Sequence, residues 1–250
     1  MKIQDLKERL NGISREQFAA IEQELAHDHR TGIKTLLKQT SRRFVLEEQQ
    51  RLSFKERSAF EEAYRAEGWR KIAGVDEVGR GPLAGPVVAA AVILPDGFYH
   101  PALTDSKQMS KKQRQLAYQH IRKVAEVAIG IIEPAEIDRI NIYQASKQAM
   151  LQAVNGVSAE ALLVDAMELD VDLPQTSLIK GDARSVSIAA ASVIAKETRD
   201  ALMEHYATLY PEYGFEQHAG YGTAQHLQAL DTYGVTPIHR KTFKPVLERL

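Results

Sequence analysis

Three short apolar segments of this chain lead directly into acidic residues, and this pattern restricts the possible folds more than any other feature. Lys71–Val75 is followed by Asp76 and Glu77, Ala161–Val164 by Asp165, and Ser177–Ile179, after a Lys-Gly pair, by Asp182. Short, apolar segments bounded by turn residues predict strands. A carboxylate at the end of an apolar strand is poorly solvated unless a cation or hydrogen bonds stabilise it.

The segments between these strands carry helix signals. Ser110 and Gln113 form a capping-box pattern that predicts a helix ending near Val124, and Pro134 suits the first turn of a helix continuing to Val154. Strands followed by helices indicate a mixed α/β sheet with helices on its faces. Two further strands are expected over 87–94 and 125–132, and two further helices over 186–206 and 224–233.

Residues 1–70 have a different character, rich in Glu, Gln, Arg and Lys with helical periodicity. Ser14 and Gln17 form a capping box that predicts a helix to Glu24, and apolar spacing predicts one long amphipathic helix over Phe44–Trp69. We therefore expect residues 1–70 to be a small helical extension that docks or binds substrate. Residues 71–250 are expected to form the catalytic domain, with a helical C-terminal part.

The composition excludes several kinds of site. The chain has no cysteine, so disulfides and thiolate metal sites are excluded. Residues 1–70 hold 14 Lys+Arg and 12 Asp+Glu, net +2, and the remaining residues hold 18 and 21, net −3. A nucleic-acid enzyme of this charge must place its basic groups locally. The N-terminus lacks a signal-peptide pattern and the longest apolar run, Val87–Leu94, is too short for a membrane span, so a soluble cytoplasmic protein is expected.

The four carboxylates Asp76, Glu77, Asp165 and Asp182 are candidate metal ligands. A single Asp at a strand end is more often a turn residue, but four such groups at three strand ends indicate a site. Hard divalent cations relieve the repulsion between clustered carboxylates, so Mg²⁺ or Mn²⁺ is expected. A pair of such ions can activate water and stabilise the departing oxygen in phosphodiester hydrolysis. Neighbouring Asp76 and Glu77 can share one site only if the strand ends or twists there.

The segment Gly79-Arg80-Gly81 follows the first carboxylate pair. It does not match the P-loop pattern, and by itself Gly-x-Gly is more often a tight turn. Beside carboxylates it indicates close approach of the backbone to a ligand. Exposed backbone N–H and C=O groups can read a ribose 2′-hydroxyl, and Arg80 can pair with a phosphate.

The segment DEVGRGPLAGPVV closely resembles the signature of the type 2 ribonucleases H, and the resemblance covers about residues 71–245. The matching segments follow in order: Asp105-Ser106-Lys107, Val164-Asp165, Lys180-Gly181-Asp182, the run 190–196, and Gly220-Tyr221-Gly222-Thr223 with His226. Two positions depart from the family pattern: Ala166 stands where glycine is usual, and Ala219 stands where lysine is usual.

The resemblance implies a ribonuclease H-like mixed five-stranded sheet flanked by helices. It implies a monomeric, metal-dependent endoribonuclease that hydrolyses the RNA strand of RNA–DNA hybrids. It also implies nicking on the 5′ side of single ribonucleotides in duplex DNA, as in ribonucleotide excision repair, leaving 3′-hydroxyl and 5′-phosphate ends. Two Mg²⁺ or Mn²⁺ ions are expected on Asp76, Glu77, Asp165 and Asp182. Gly79, Arg80 and Gly81 are expected at the 2′-hydroxyl, and Tyr221 on the following sugar.

Other side chains have less specific signals. Lys107 is either a solvated loop residue or a phosphate contact. Ser192, Lys196 and Arg199 share one helix face, which is either an ordinary polar face or a phosphate-binding one. His226 can hold the Tyr221 loop by a hydrogen bond.

Two alternative functions remain at this point. A type 3 ribonuclease H shares the carboxylates but has Gly-Thr-Gly where this chain has Gly79-Arg80-Gly81. A non-catalytic nucleic-acid-binding module has no use for four acidic residues, which repel a polyanion unless metal intervenes.

Overall fold

The computed structural model describes residues 2–250, which divide into two compact units between Lys55 and Glu56. The division precedes the change in sequence character at Lys71. The functional boundary at residue 70 stays a prediction.

The first unit contains helices α1 (Ile3–Arg9) and α2 (Arg15–Glu24) and most of α3 (Thr31–Arg57). The capping box predicted for α2 is present: the Ser14 hydroxyl accepts from the Gln17 N–H at 3.2 Å, and the Gln17 side chain accepts from the Ser14 N–H at 2.9 Å. The helices enclose a small apolar core made of Leu6, Leu10, Phe18, Ile21 and Ile33.

The prediction of one helix over Phe44–Trp69 is wrong. Helix α3 already begins at Thr31, where Ile33 joins the core of the first unit, and a break at Ser58 separates α3 from α4 (Ala59–Ala66). The buried Glu61 carboxylate of α4 accepts hydrogen bonds from Ser185 and Ser187. This anchor connects residues distant in sequence, so local periodicity does not report it.

The second unit is built on a mixed five-stranded sheet, as predicted. Its strands are β1 (Ile72–Val78), β2 (Val87–Ile93), β3 (Glu126–Ile132), β4 (Ala161–Asp165) and β5 (Gln175–Leu178). The spatial order is β3-β2-β1-β4-β5. The β1–β2 and β2–β3 pairs are antiparallel, whereas β1–β4 and β4–β5 are parallel. Because β1, β4 and β5 run in the same direction, the residues at their carboxyl ends meet at one edge of the sheet.

Helices cover both faces of the sheet. Helix α7 (Ile142–Val154) packs with Ala73 and Val75 on one face, and α9 (Val186–Leu209) packs on the other. Gly74 makes this second contact possible, because a Cβ there would collide with the Ser187 backbone of α9.

The predicted helix over Pro134–Val154 is interrupted. Asn141 has a φ of 67° and separates α6 (Pro134–Ile140) from α7. The Asn141 side chain accepts from the N–H groups of Tyr143 and Gln144 at 3.0 and 3.1 Å, which caps α7. Asparagine tolerates the left-handed region better than most residues, so it accommodates this local break.

The remaining helices lie between and after these elements. They are α5 (Lys111–Val124), α8 (Gly181–Arg184), a 3₁₀ turn (Pro211–Tyr213), α10 (Phe215–His218), α11 (Ala224–Tyr233) and α12 (Lys244–Leu247). Helices α5 and α11 begin and end where the sequence predicts. Across residues 2–250, no helix is long and apolar enough to span a bilayer.

Candidate active site

Three of the four predicted carboxylates converge at the edge of the sheet. One oxygen from each of Asp76, Glu77 and Asp165 lies within 4.8 Å of the other two. Asp182, at the start of α8, is buried close by, and its carboxyl interacts with that of Asp165.

Of the two conditions under which Asp76 and Glu77 can share one site, the end of the strand is not the one met. Strand β1 continues to Val78, and both Asp76 and Glu77 remain paired with β2. The pairing of β1 with β4, however, ends at Val75 and Val164. The edge of β1 is therefore open beside Asp165, and the longer Glu77 side chain can reach the same space as Asp76.

Burial strongly disfavours the ionised forms of this pair. It raises the pKa of the Asp76 carboxyl well above its usual range, and the Glu77 and Asp165 carboxylates raise it further. Burial also raises the pKa of Glu77 to about 7, against the opposing effect of the Arg80 guanidinium, whose Nη1 lies 3.4 Å from Glu77 Oε1. Without a cation, the site therefore retains protons.

The other two carboxyls are also perturbed. Burial raises the pKa of Asp165, although its Oδ1 accepts from the Gly181 N–H at 2.6 Å. Burial and the nearby Asp105 and Asp165 carboxylates raise the pKa of Asp182. Asp105 is thus close to the site, although the sequence pattern singled out only Lys107 from its segment.

Lys107 lies among these carboxylates. Its partial burial favours the neutral amine, but the field of Asp182 and Asp105, and more weakly of Asp76 and Asp165, raises the pKa of Lys107. Its ammonium therefore stays charged beside the acidic cluster.

Helix α9 contributes a hydroxyl to the acidic cluster. The buried Ser192 hydroxyl lies 2.9 Å from the Ser106 hydroxyl, and its interaction with the Asp76 carboxyl opposes the rise in the pKa of Asp76. Lys196, one turn later, donates to Asp200 at 2.7 Å and is half-buried. Ser192 therefore faces the carboxylates, whereas Lys196 is held by an acidic partner on its own helix.

The residues present fit a divalent cation. Glu77 Oε2 is buried and has no hydrogen-bond partner among residues 2–250, although a buried carboxylate oxygen ordinarily has one. An oxygen-only donor set of clustered carboxylates suits Mg²⁺ or Mn²⁺. Binding a cation would satisfy this oxygen and relieve the repulsion that raises the carboxyl pKa values.

The loop of residues 79–86 adjoins the carboxylates. Gly79 has a φ of 93°, and a Cβ there would collide with the Arg199 side chain, so only glycine fits. Arg80 and Gly81 are exposed. A Cβ on Gly81 would lie 3.4 Å from Cε1 of Tyr221, so the tyrosine ring stands beside this loop.

Tyr221 is 48% exposed, and its backbone is fixed by a chain of buried histidines. The Thr236 N–H donates to His239 Nδ1 at 3.0 Å, so His239 Nε2 carries the proton and donates to His226 Nε2 at 3.0 Å. His226 Nδ1 then donates to the Tyr221 carbonyl at 2.9 Å. Burial lowers the pKa of His226 and brings the pKa of His239 to about 4, consistent with neutral rings.

Comparison with known proteins assigns the family. The family model for ribonuclease HII matches residues 73–246, and the model for the ribonuclease HII N-terminal domain matches residues 2–65. The chain belongs to the ribonuclease HII family. The Ribonuclease HII of Bacillus cytotoxicus is 50% identical over 251 residues, covering 99% of this chain and 96% of the relative.

Solved structures agree on the fold of ribonuclease HII. The crystal structure of the ribonuclease H2 from Pyrococcus horikoshii OT3 superposes with a TM-score of 0.64 and 25% identity, covering 72% of this chain and 96% of that chain. Bst-RNase HIII, solved in complex with Mn²⁺, has a TM-score of 0.53 and 18% identity, covering 73% and 70%. The predicted ribonuclease H-like sheet is confirmed.

The predicted enzyme class, a type 2 ribonuclease H, is confirmed as well. The family supports endoribonuclease activity on RNA–DNA hybrids and depends on divalent metal ions. The helical extension also matches a known domain, because residues 2–65 fit the model for the ribonuclease HII N-terminal domain.

Sequence reasoning missed two buried arginines of this ribonuclease HII. Arg199, predicted on a polar helix face that either binds phosphate or is ordinary surface, is buried, and its three nitrogens all donate to backbone carbonyls. It is therefore not available to a phosphate. Arg240, in the C-terminal segment, is also buried and donates to carbonyls of the 79–86 loop. In sequence both resemble ordinary surface arginines, because the loops that enclose them are distant along the chain.

Proposed function

We propose that this ribonuclease HII hydrolyses the RNA strand of RNA–DNA hybrids and nicks on the 5′ side of single ribonucleotides embedded in duplex DNA. The products carry 3′-hydroxyl and 5′-phosphate ends. The convergence of Asp76, Glu77 and Asp165 within 4.8 Å is the observation that supports phosphodiester hydrolysis best, together with one buried Glu77 oxygen that has no hydrogen-bond partner among the described residues.

The four carboxylates Asp76, Glu77, Asp165 and Asp182 would hold two Mg²⁺ or Mn²⁺ ions during catalysis. When bound, such ions activate water and neutralise the charge on the departing oxygen. The chain's own residues orient the site: the Gly181 N–H holds the Asp165 carboxyl, and the Ser192 hydroxyl interacts with the Asp76 carboxyl.

The exposed loop beside the carboxylates supports selection of a ribonucleotide. Arg80 and Gly81 present backbone N–H groups and a guanidinium next to the acidic cluster. The Tyr221 ring beside Gly81 offers a flat surface for the following deoxyribose, where an added hydroxyl would fit less well. Lys107 supplies positive charge for a phosphate. Lys196, held by Asp200, is a weaker candidate for a second phosphate contact.

The experiment uses a DNA duplex with one embedded ribonucleotide. We expect a nick on its 5′ side with Mg²⁺ or Mn²⁺, abolished by EDTA and lowered by at least about 10³-fold in Asp76→Asn, since a missing ligand disrupts the metal site. Labelled-strand gel assays measure the rate and identify the ends. Asp96→Asn, an exposed carboxylate outside the cluster, is the matched control. Undiminished nicking by Asp76→Asn would contradict the metal assignment.

The remaining expectations concern the whole chain. We propose that the enzyme acts as a monomer in the cytoplasm, and that the helical extension of residues 1–70 helps hold substrate. Sedimentation of the enzyme alone and with duplex tests the oligomeric state, and substitution of exposed basic residues on α3 tests substrate holding.

A further inference from the structure

Two arginines have their charged groups fully inside the second unit. Arg199 on α9 is 1% exposed, and Arg240 is 0% exposed. Burying a cation is unfavourable unless it is paired and hydrogen-bonded. Within residues 2–250, however, neither guanidinium forms an ion pair, and the acceptors of both are backbone carbonyls. This arrangement indicates that the two arginines hold these carbonyls in place, and with them the loops to which the carbonyls belong.

Arg240 spans both ends of the 79–86 loop. Its Nη2 donates to the Gly79 carbonyl at 2.6 Å, and its Nη1 donates to the Arg80 carbonyl at 3.0 Å. Nε and Nη2 also donate to the Gly85 carbonyl at 3.0 and 2.8 Å. The planar fork of one guanidinium therefore fixes three peptide groups of the loop.

The orientation of these peptides determines what the loop presents to a ligand. In a planar trans peptide, the N–H points opposite to the C=O. Because the carbonyls of Gly79 and Arg80 point inward at Arg240, the N–H groups of Arg80 and Gly81 point away from the core. Both residues are exposed, and across the described residues neither N–H donates to the protein. Two aligned, free donors therefore face solvent beside the acidic cluster.

Arg199 connects the same loop to the Tyr221 segment. Its Nε donates to the Pro86 carbonyl at 2.9 Å, its Nη2 to Ala84 at 3.0 Å, and its Nη1 to Ala219 at 2.9 Å. The Leu83 N–H donates to the Gly220 carbonyl at 2.8 Å and closes the contact. Arg199 thereby sets the separation between the outward N–H groups and the tyrosine ring.

We propose that Arg199 and Arg240 are positioning residues for ribonucleotide recognition, which aim the Arg80 and Gly81 N–H groups outward and hold Tyr221 at a fixed distance from them. The inference rests on the proposed function, since it assigns these donors to the nucleotide at the cleavage site. Two cations that form no ion pair within residues 2–250 also place a positive field behind the donors, which favours an anionic phosphodiester or a hydroxyl lone pair in front of them.

The test measures discrimination rather than activity alone. The dissociation constant is measured for a DNA duplex with one ribonucleotide and for the all-deoxy duplex. Both measurements use Ca²⁺, whose coordination is looser than that of Mg²⁺. The enzymes are the unaltered protein, Arg240→Lys, Arg199→Lys and the matched control Arg249→Lys, whose arginine pairs with Asp231 away from both loops. Lysine keeps the charge and most of the stem but cannot bond several carbonyls as a planar fork. Mn²⁺ binding and the unfolding midpoint are measured for each enzyme.

We expect the preference for the ribonucleotide to fall about five-fold or more in Arg240→Lys and Arg199→Lys, the value of one hydrogen bond. Mn²⁺ affinity should stay within two-fold, and Arg249→Lys should keep the full preference. An unchanged preference in both folded lysine variants would overturn the inference, as would equal losses of Mn²⁺ binding and preference, which indicate a general folding role. An unaltered enzyme without any preference would instead overturn the proposed function, and the inference with it.

Discussion

Two alanines adopt backbone conformations that ordinarily favour glycine. Ala166, directly after the carboxylate of Asp165, and Ala219, directly before Gly220, both have a φ of 49°. A left-handed conformation costs a residue with a Cβ roughly 1–2 kcal/mol. At residue 219 the Arg199 bond to the carbonyl compensates by fixing the loop, whereas Ala166 is exposed and its N–H makes one bond to the Leu178 carbonyl.

We predict that Ala166→Gly raises the free energy of unfolding by about 0.5–1 kcal/mol, because relief of the strained φ exceeds the extra chain entropy of glycine. Urea unfolding of the metal-free protein measures the change. Ala201→Gly, at an exposed position inside α9, is the control and should lower stability by about 1 kcal/mol. If Ala166→Gly instead lowered the free energy of unfolding, the alanine side chain would make a contact that stabilises the protein by more than the strained φ destabilises it.

At the scale of single elements, α3 carries a basic face. Lys34, Lys38 and Arg42 are exposed at four-residue spacing, so they project from the same side of the helix. Elsewhere on α3, Arg43 pairs with Glu47 and Arg51 with Glu48. None of the three forms an ion pair with another described residue. A row of free cations on one helix face fits a nucleic-acid backbone.

We predict that the triple variant Lys34→Gln, Lys38→Gln, Arg42→Gln weakens duplex binding and lowers the slope of log affinity against log salt by up to about 3, since each phosphate contact contributes about 0.9. Cleavage at saturating substrate should persist, because the acidic cluster is untouched. Fluorescence anisotropy across salt concentrations measures the slope. The charge-matched control replaces Lys7, Arg15 and Lys55, which are exposed elsewhere on the first unit. If both triple variants lost the same duplex affinity, the loss would be due to the change in net charge and not to this face of α3.

At the scale of the whole molecule, the acidic cluster opposes folding at neutral pH until a cation binds. Burial raises the pKa of Glu77 to about 7 in the folded protein, and the pKa values of Asp76, Asp165 and Asp182 shift in the same direction. Between the unfolded value near 4.5 and about 7, the folded state holds more protons than the unfolded chain. This contribution to stability is fully present below the unfolded pKa and is lost as the pH rises through 7.

We predict that, in EDTA, the stability of the protein relative to its Glu77→Gln variant falls between pH 5 and pH 8, by up to about 3 kcal/mol. Urea unfolding of both proteins at each pH isolates Glu77 together with its electrostatic effect on the Asp76 carboxyl, because titrations outside the acidic cluster cancel. With excess Mg²⁺ or Mn²⁺ the trend should reverse, since the cation binds the ionised carboxylates. Parallel pH profiles for the two proteins in EDTA would show that Glu77 does not titrate in this range.

The sequence alone determined the elements whose signals are local. Capping boxes at Ser14 and Ser110 defined the starts of two helices, and apolar runs defined the strands within about three residues, because these patterns depend only on near neighbours. The strand-end carboxylates indicated the acidic cluster, since parallel strands end at one edge.

Only the tertiary structure decided the features that join distant parts of the chain. It placed Glu77 in the cluster through the open edge of β1, and it separated α3 from α4 and α6 from α7. It also enclosed Arg199 and Arg240, whose partners lie more than 100 residues away for most of their bonds. Periodicity cannot distinguish such an arginine from a surface one, because its burial depends on where other loops fold back.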